Sequence, residues 1–139
     1  MSQRIGNFAA PGSMLKGPLR DRLKKKELAQ HDRPGNSETH LALLRQMPCA
    51  VTLKMPAGEV HHLQNGIKDR GLGMRSQDRW GLPLLHHLHM ELHAKGSRNE
   101  PGWFLKHGIA DPLGLANALW HATGDLPKMI AILMEHRSP

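Results

Sequence analysis

The sequence predicts a small α+β domain in which a helix, a compact antiparallel sheet and a second helix gather a histidine-rich site, with a basic arm before it and a helical extension after it. Three observations point there. A chain of 139 residues supports one modest core. Its apolar residues recur at helical spacing in some stretches and fall into short segments bounded by Pro and Gly in others. Hydrophobic residues make up only 39% of the chain and aromatic residues 4%, with no Tyr, so part of the length stays outside the core. The first forty residues are the candidates.

Residues 1–38 mix Gly, Pro, Ser and charge. Between Lys16 and Lys26, the six basic residues Lys16, Arg20, Arg22, Lys24, Lys25 and Lys26 stand against one acid, Asp21, and the segment reads as a flexible basic arm with a short helix over 18–30. From Thr39, the spacing of Leu41, Leu43, Leu44 and Met47 predicts an amphipathic helix stopped by Pro48. Residues 49–55 alternate weakly and 59–63 form a second short segment, which predicts a hairpin turning at Pro56-Ala57-Gly58. Residues 65–78 are glycine-rich and charged, too polar for core and too long for a tight turn, so they read as a functional loop. The apolar run 80–85 reads as a strand. His86–Lys95 lacks Gly and Pro until Gly96 closes it, which predicts a helix.

A short helix over 101–107, a break at Gly108, and two amphipathic helices over Pro112–His121 and 126–137 complete the chain. Trp103, Phe104, Leu105, Leu115, Leu119, Trp120, Ile130 and Leu133 are expected in the core. His107 and His121 are expected at its polar edge, and Glu91 in solvent. The organisation is therefore a basic arm (1–38), a core (39–110) and a C-terminal helical extension packed on that core (111–139).

Charge and cysteine count narrow the function. A net charge of +7 with His neutral favours a polyanion, because Lys and Arg contacts to phosphate release condensed counterions. Nucleic acid leads. The single Cys49 can form neither an internal disulfide nor a CxxC…CxxC zinc ribbon, so a metal site must rest on His and carboxylates. No apolar h-region lies between Met1 and Pro11 and no run approaches the length of a membrane span, so the expectation is a cytoplasmic protein with no membrane partner.

Of the eleven His, six fall between His61 and His93. On a helix, His89 and His93 are i and i+4 neighbours on one face, and His86 lies near that face while His87 does not. A His-x-x-x-His pair alone is weak evidence. The adjacent pair His61-His62 at a strand end strengthens it, since consecutive strand residues point to opposite sides and one ring can ligate while its neighbour serves another task. Three neutral imidazoles with an open position suit hydrolysis rather than a closed structural site. A cation there stabilises phosphoryl and leaving-group oxygens while a His removes a proton from water. Glu59 is a weaker candidate for an added ligand.

The ordered pieces are Glu59-Val60-His61-His62-Leu63, then Gly71-Leu72-Gly73-Met74-Arg75-Ser76-Gln77-Asp78, then Leu82-Pro83-Leu84, then His89-Met90-Glu91-Leu92-His93. From about Leu41 to Ile109, half of the chain, this order resembles the phage recombination-associated nucleases of the Ref type and related His-Asn-His (HNH, or His-Me finger) families. The resemblance implies a ββα-metal core and a metal-dependent DNA endonuclease acting in phage or mobile-element recombination. His61 corresponds to the first metal ligand and His62 to the general base. His89 and His93 match the two helix ligands of three-His members such as the colicin DNases. Asp78 falls where it would orient His62 or order the loop. Lys68, Arg70, Arg75 and Arg79 on the loop, with Lys24, Lys25 and Lys26 on the arm, would hold the DNA backbone.

Departures from the family pattern are also informative. Where many members carry a CxxC this chain reads Cys49-Ala50-Val51-Thr52, and Leu85 stands at a later Cys, so the resemblance implies no structural zinc. Leu88 replaces the first member of a His pair, and apolar packing or the C-terminal helices must hold the sheet. The implied cofactor is one divalent ion: ligand type suits Zn²⁺, Ni²⁺ or Mn²⁺ and family behaviour suits Mg²⁺. The implied partners are DNA and either a recombinase filament or a second copy of the chain. A second reading is a catalytically degenerate DNA-binding or recombination accessory protein of the same fold. A third is a host-interaction protein of a mobile element working through the surface from Pro112 onward.

Overall fold

Two short strands form the centre of the domain, β1 (Glu59–His62) and β2 (Gly81–Leu84), paired antiparallel with Glu59 opposite Leu84, Val60 opposite Pro83, His61 opposite Leu82 and His62 opposite Gly81. The computed structural model describes residues 34–68 and 75–138. The expected arm helix, Lys24, Lys25, Lys26 and Arg70 lie outside the described residues. Every residue of β2 is buried, which its continuous apolar run anticipates. Gly81 is required by close approach: a Cβ there would sit 2.6 Å from Val60 Cγ1.

Helix α1 (Glu38–Gln46) begins at Ser37, whose side chain accepts from the His40 amide at 3.2 Å, and Glu38 complements its first turn. It buries His40, Leu41 and Leu44 and packs on both strands. Helix α2 (His86–Lys95) packs on β1 and ends at Gly96, whose φ of 85° lets its amide reach the Leu92 and His93 carbonyls. Leu88 and Leu92 make its buried stripe, so Leu88 is a core residue here. Helix α3 (Glu100–Lys106) follows after one 3-10 turn, and α2 packs against it. Helices α4 (Pro112–His121) and α5 (Leu126–Glu135) each start with Asp then an early Pro, and Asp111 and Asp125 accept the Gly114 and Lys128 amides at 3.0 and 3.1 Å. The architecture of the described residues is α+β, five helices around a two-stranded sheet.

The core is one cluster. Leu44, Leu63, Leu82, Leu84 and Phe104 share it with Leu115, Leu119, Met129 and Leu133, so the last two helices are part of the same interior. Full burial of each such side chain contributes about 1.5–3 kcal/mol. Leu105, expected inside, is 62% exposed. His121 is exposed as well, two positions past Leu119, the last residue of the buried stripe on α4.

The hairpin expected from 49–55 does not form. That segment curls on itself: the Cys49 amide donates to Lys54 O and the Leu53 amide to Cys49 O, both at 2.8 Å, with Leu53 at φ 66°. Its ends are tied to α1 through the Ala57 and Gly58 amides, which donate to Met47 O and Arg45 O, so β1 takes β2 as its partner instead. Trp80 belongs to the 3-10 turn Asp78–Trp80 rather than to the strand. Residues 35–37 join the folded unit ahead of the expected boundary, since Asn36 Oδ1 accepts the Asp78 amide, Asp78 Oδ2 the Ser37 amide and Gly35 O the Arg79 amide. No helix of the described residues is long and apolar enough to cross a membrane.

Candidate metal centre

The i, i+4 spacing on α2 and the strand end of β1 bring His89, His93 and His61 together, with one ring nitrogen from each lying within 4.8 Å of the others. His89 Nε2 and His93 Nε2 are 3.1 Å apart. Two imidazoles on a tetrahedral zinc, each about 2.05 Å from the ion, would be separated by roughly 3.3 Å, so the helix pair is set close to ligating distance. His61 stacks edge-on to both, with ring centroids 5.2 and 5.7 Å away. Its Nε2 is engaged by Glu100 Oε1 at 2.7 Å, and its Nδ1 is buried with no hydrogen-bond partner among the described residues. A buried nitrogen without a partner, on a ring that two other imidazoles approach, fits a bound cation, because that nitrogen otherwise loses hydration for nothing.

Two carboxylates hold these imidazole rings from behind. Glu100, 3% exposed, serves His61, and Glu59 accepts from His89 Nδ1 at 2.9 Å and His86 Nδ1 at 2.6 Å. Hydrogen bonds from His89 and His86 hold the Glu59 carboxyl below its usual range. Glu59 thus meets the nitrogen of His89 that faces away from the cluster, an orienting contact in place of ligation. His87 is exposed and takes no part.

His62 stays out of the three-histidine group and turns its ring to Asp78, while still lining the same cavity. Its Nε2 lies 2.9 Å from Asp78 Oδ1. Burial pushes the Asp78 carboxyl up, but the His62 hydrogen bond, the Ser37 amide and the charges of His62 and Arg75 outweigh it and hold the group below its ordinary value. A cavity of about 420 Å³ opens between these groups, lined by His61, His62, His89 and His93 with Arg45 and Arg75 among its other walls.

The expected phosphate contacts divide. Arg75 lines the cavity, 3.6 Å from Asp78. Lys68 is exposed and outside that lining. Arg79 is turned away: its guanidinium donates to Asn117 at 2.9 Å and lies 4.8 Å over the Trp80 ring, which ties it to α4. Glu91 is exposed, as expected, and also accepts from Trp103 Nε1 at 2.7 Å, while the His107 ring lies tilted against the same indole. Sequence reasoning missed Glu100 and Arg45. Glu100 lies 39 positions from His61 with only a following Pro101 to mark it, and nothing in the spacing of α1 singles out Arg45. Comparison with family models, with curated proteins and with solved structures gives no match to this chain.

Proposed function

We propose that the chain is a metal-dependent endonuclease of the HNH type, hydrolysing phosphodiester bonds in DNA on a ββα-metal core made of β1, β2 and α2. One observation carries the reading: three imidazoles converge on one point, while the next residue along β1, His62, faces the same cavity and is held separately by a buried carboxylate. His61, His89 and His93 would hold the ion. When bound, a divalent cation there supplies positive charge against the phosphoryl and leaving oxygens. The net charge of +7 and the arginines on the cavity wall favour a phosphate backbone as the polyanion.

His62 is the base. Asp78 accepts the Nε2 hydrogen and fixes the tautomer, so Nδ1 keeps a lone pair for a water proton. That water's oxygen attacks phosphorus as Nδ1 takes its proton, the bond to the leaving oxygen breaks, and the leaving oxygen takes a proton from solvent.

The test is nicking of supercoiled plasmid by metal-stripped protein supplied separately with Mg²⁺, Mn²⁺ and Zn²⁺. Metal-dependent nicking that falls roughly 10²–10⁴-fold in His62→Ala, with DNA affinity retained, is expected. A wild-type protein that binds DNA and cuts under none of the three ions overturns the reading in favour of an accessory protein.

A further inference from the structure

The two carboxylates behind the ligand rings have different hydrogen-bond duties. Glu100 accepts three N–H groups: His61 Nε2 at 2.7 Å on Oε1, the Asn65 amide at 2.9 Å on Oε2, and the Gln64 amide, which is nearer Oε2 at 3.0 Å than Oε1 at 3.3 Å. Backbone amides only donate, so the Oε2 position must hold an oxygen. An ionised carboxylate only accepts, so the other oxygen requires a hydrogen on His61 Nε2. A neutral imidazole carries one such hydrogen, which leaves the lone pair on Nδ1, the buried nitrogen that has no other partner among the described residues.

Glu59 carries no such constraint. Its oxygens meet two imidazoles, His89 Nδ1 and His86 Nδ1, and the side chain of His86 is 70% exposed. An amide at position 59 can turn its carbonyl oxygen to His89 and its NH₂ to His86, whose solvated ring is free to take the matching tautomer. At position 100 an amide has no such choice. With its oxygen held by the two backbone amides, its NH₂ faces His61 Nε2, which must then become an acceptor. The ring hydrogen moves to Nδ1 and the lone pair that would bind the ion is lost.

We infer that Glu100 is the positioning residue that sets the ligand tautomer of His61, and that it must be a carboxylate, whereas Glu59 can be replaced by its amide. The inference rests on the metal centre of the proposed function and not on cleavage.

The test uses metal-free protein with ¹⁵N-labelled histidine at pH 8, where long-range ¹H–¹⁵N correlation reports which ring nitrogen of His61 bears the hydrogen. Co²⁺ titration by absorption then follows. Wild type is expected as the Nε2–H tautomer. Glu100→Gln, an isosteric change, is expected as the Nδ1–H tautomer with Co²⁺ affinity lower by about 10–100-fold. Glu59→Gln should keep the His89 tautomer, since its carbonyl oxygen still accepts from His89 Nδ1. Wild-type His61 found with its hydrogen on Nδ1 overturns the inference without any variant, and so does Glu100→Gln binding Co²⁺ as wild type does. A wild-type protein that binds no Co²⁺ overturns the metal centre itself, a failure distinct from a wrong tautomer.

Discussion

His61 and His40 share one signature and differ in everything around it. Both are almost fully buried, at 3% and 0% exposure, and each has a ring nitrogen with no hydrogen-bond partner among the described residues. Around His61 two more imidazoles and a carboxylate converge. Around His40, on the α1 face toward α4, the ring meets the edge of Trp120 at 4.9 Å and the Thr123 hydroxyl at 2.7 Å. The Thr123 hydroxyl gives its own hydrogen to Trp120 O at 2.6 Å, so it accepts from His40 Nδ1 and leaves Nε2 as a buried lone pair. Burial pushes the His40 pKa down to about 4, opposed by the Asp78 charge. On the proposed reading, a buried nitrogen without a partner is a candidate ligand only where other donors share its space; elsewhere it belongs to a histidine kept neutral by its surroundings.

The largest expected effect separates the two directly. His61→Ala should reduce Zn²⁺ or Co²⁺ affinity by more than ~100-fold, beyond what loss of an orienting carboxylate costs. His40→Ala should leave metal affinity intact and instead open a cavity between α1 and α4, costing about 2–3 kcal/mol, or roughly 5–10 °C in Tm. Metal titration and thermal denaturation of both variants check this. A fall in metal affinity in His40→Ala would join the two regions and break the contrast.

Acid sensitivity sharpens it next. The folded pKa of His40, about 4, lies below its ordinary 6.5, so the unfolded chain binds more protons between those values. Stability from keeping this ring neutral is fully present above pH 6.5 and lost as pH falls from 6.5 to 4, in total about 3 kcal/mol. Asp78 acts lower: its depressed pKa contributes stability that is lost as pH falls below the ordinary carboxylate range, outside that window. His40→Leu keeps similar volume without the buried nitrogen, so urea denaturation of metal-free protein at pH 7.5, 6, 5 and 4 should give a flatter profile for the variant. Equal slopes in the two proteins would show that burial of His40 is not what the acid attacks.

What could be read in the sequence was what neighbouring residues decide. His86–Lys95 and Pro112–His121 appear with the expected bounds because Gly96 stops one and Asp111 with Pro112 starts the other, all within a turn of the helix. His89 and His93 could be paired from spacing alone. The strand partner of β1 could not, because 49–55 alternates as a strand would while the hydrogen bonds that curl it depend on Leu53 taking a left-handed conformation. Glu100 could not be found either, since its three partners at His61, Gln64 and Asn65 lie 35 to 39 residues earlier.

Arg79 shows the same limit and gives the smallest effect. In the sequence Arg75 and Arg79 are equal members of a basic loop; in the fold Arg75 faces the cavity and Arg79 faces Asn117 on α4, with its Nε buried and unpartnered among the described residues. On the DNA-binding reading, Arg75→Ala removes one phosphate contact and should reduce the slope of log K against log salt by about 0.9. Arg79→Ala should leave that slope alone and cost about 1 kcal/mol in stability through the lost hydrogen bond and its stacking on Trp80. Fluorescence-anisotropy titrations of a DNA duplex across a salt series distinguish them. If Arg79→Ala lowers the slope as Arg75→Ala does, the guanidinium leaves Asn117 when DNA binds, and the division between the cavity side and the α4 side fails at this residue.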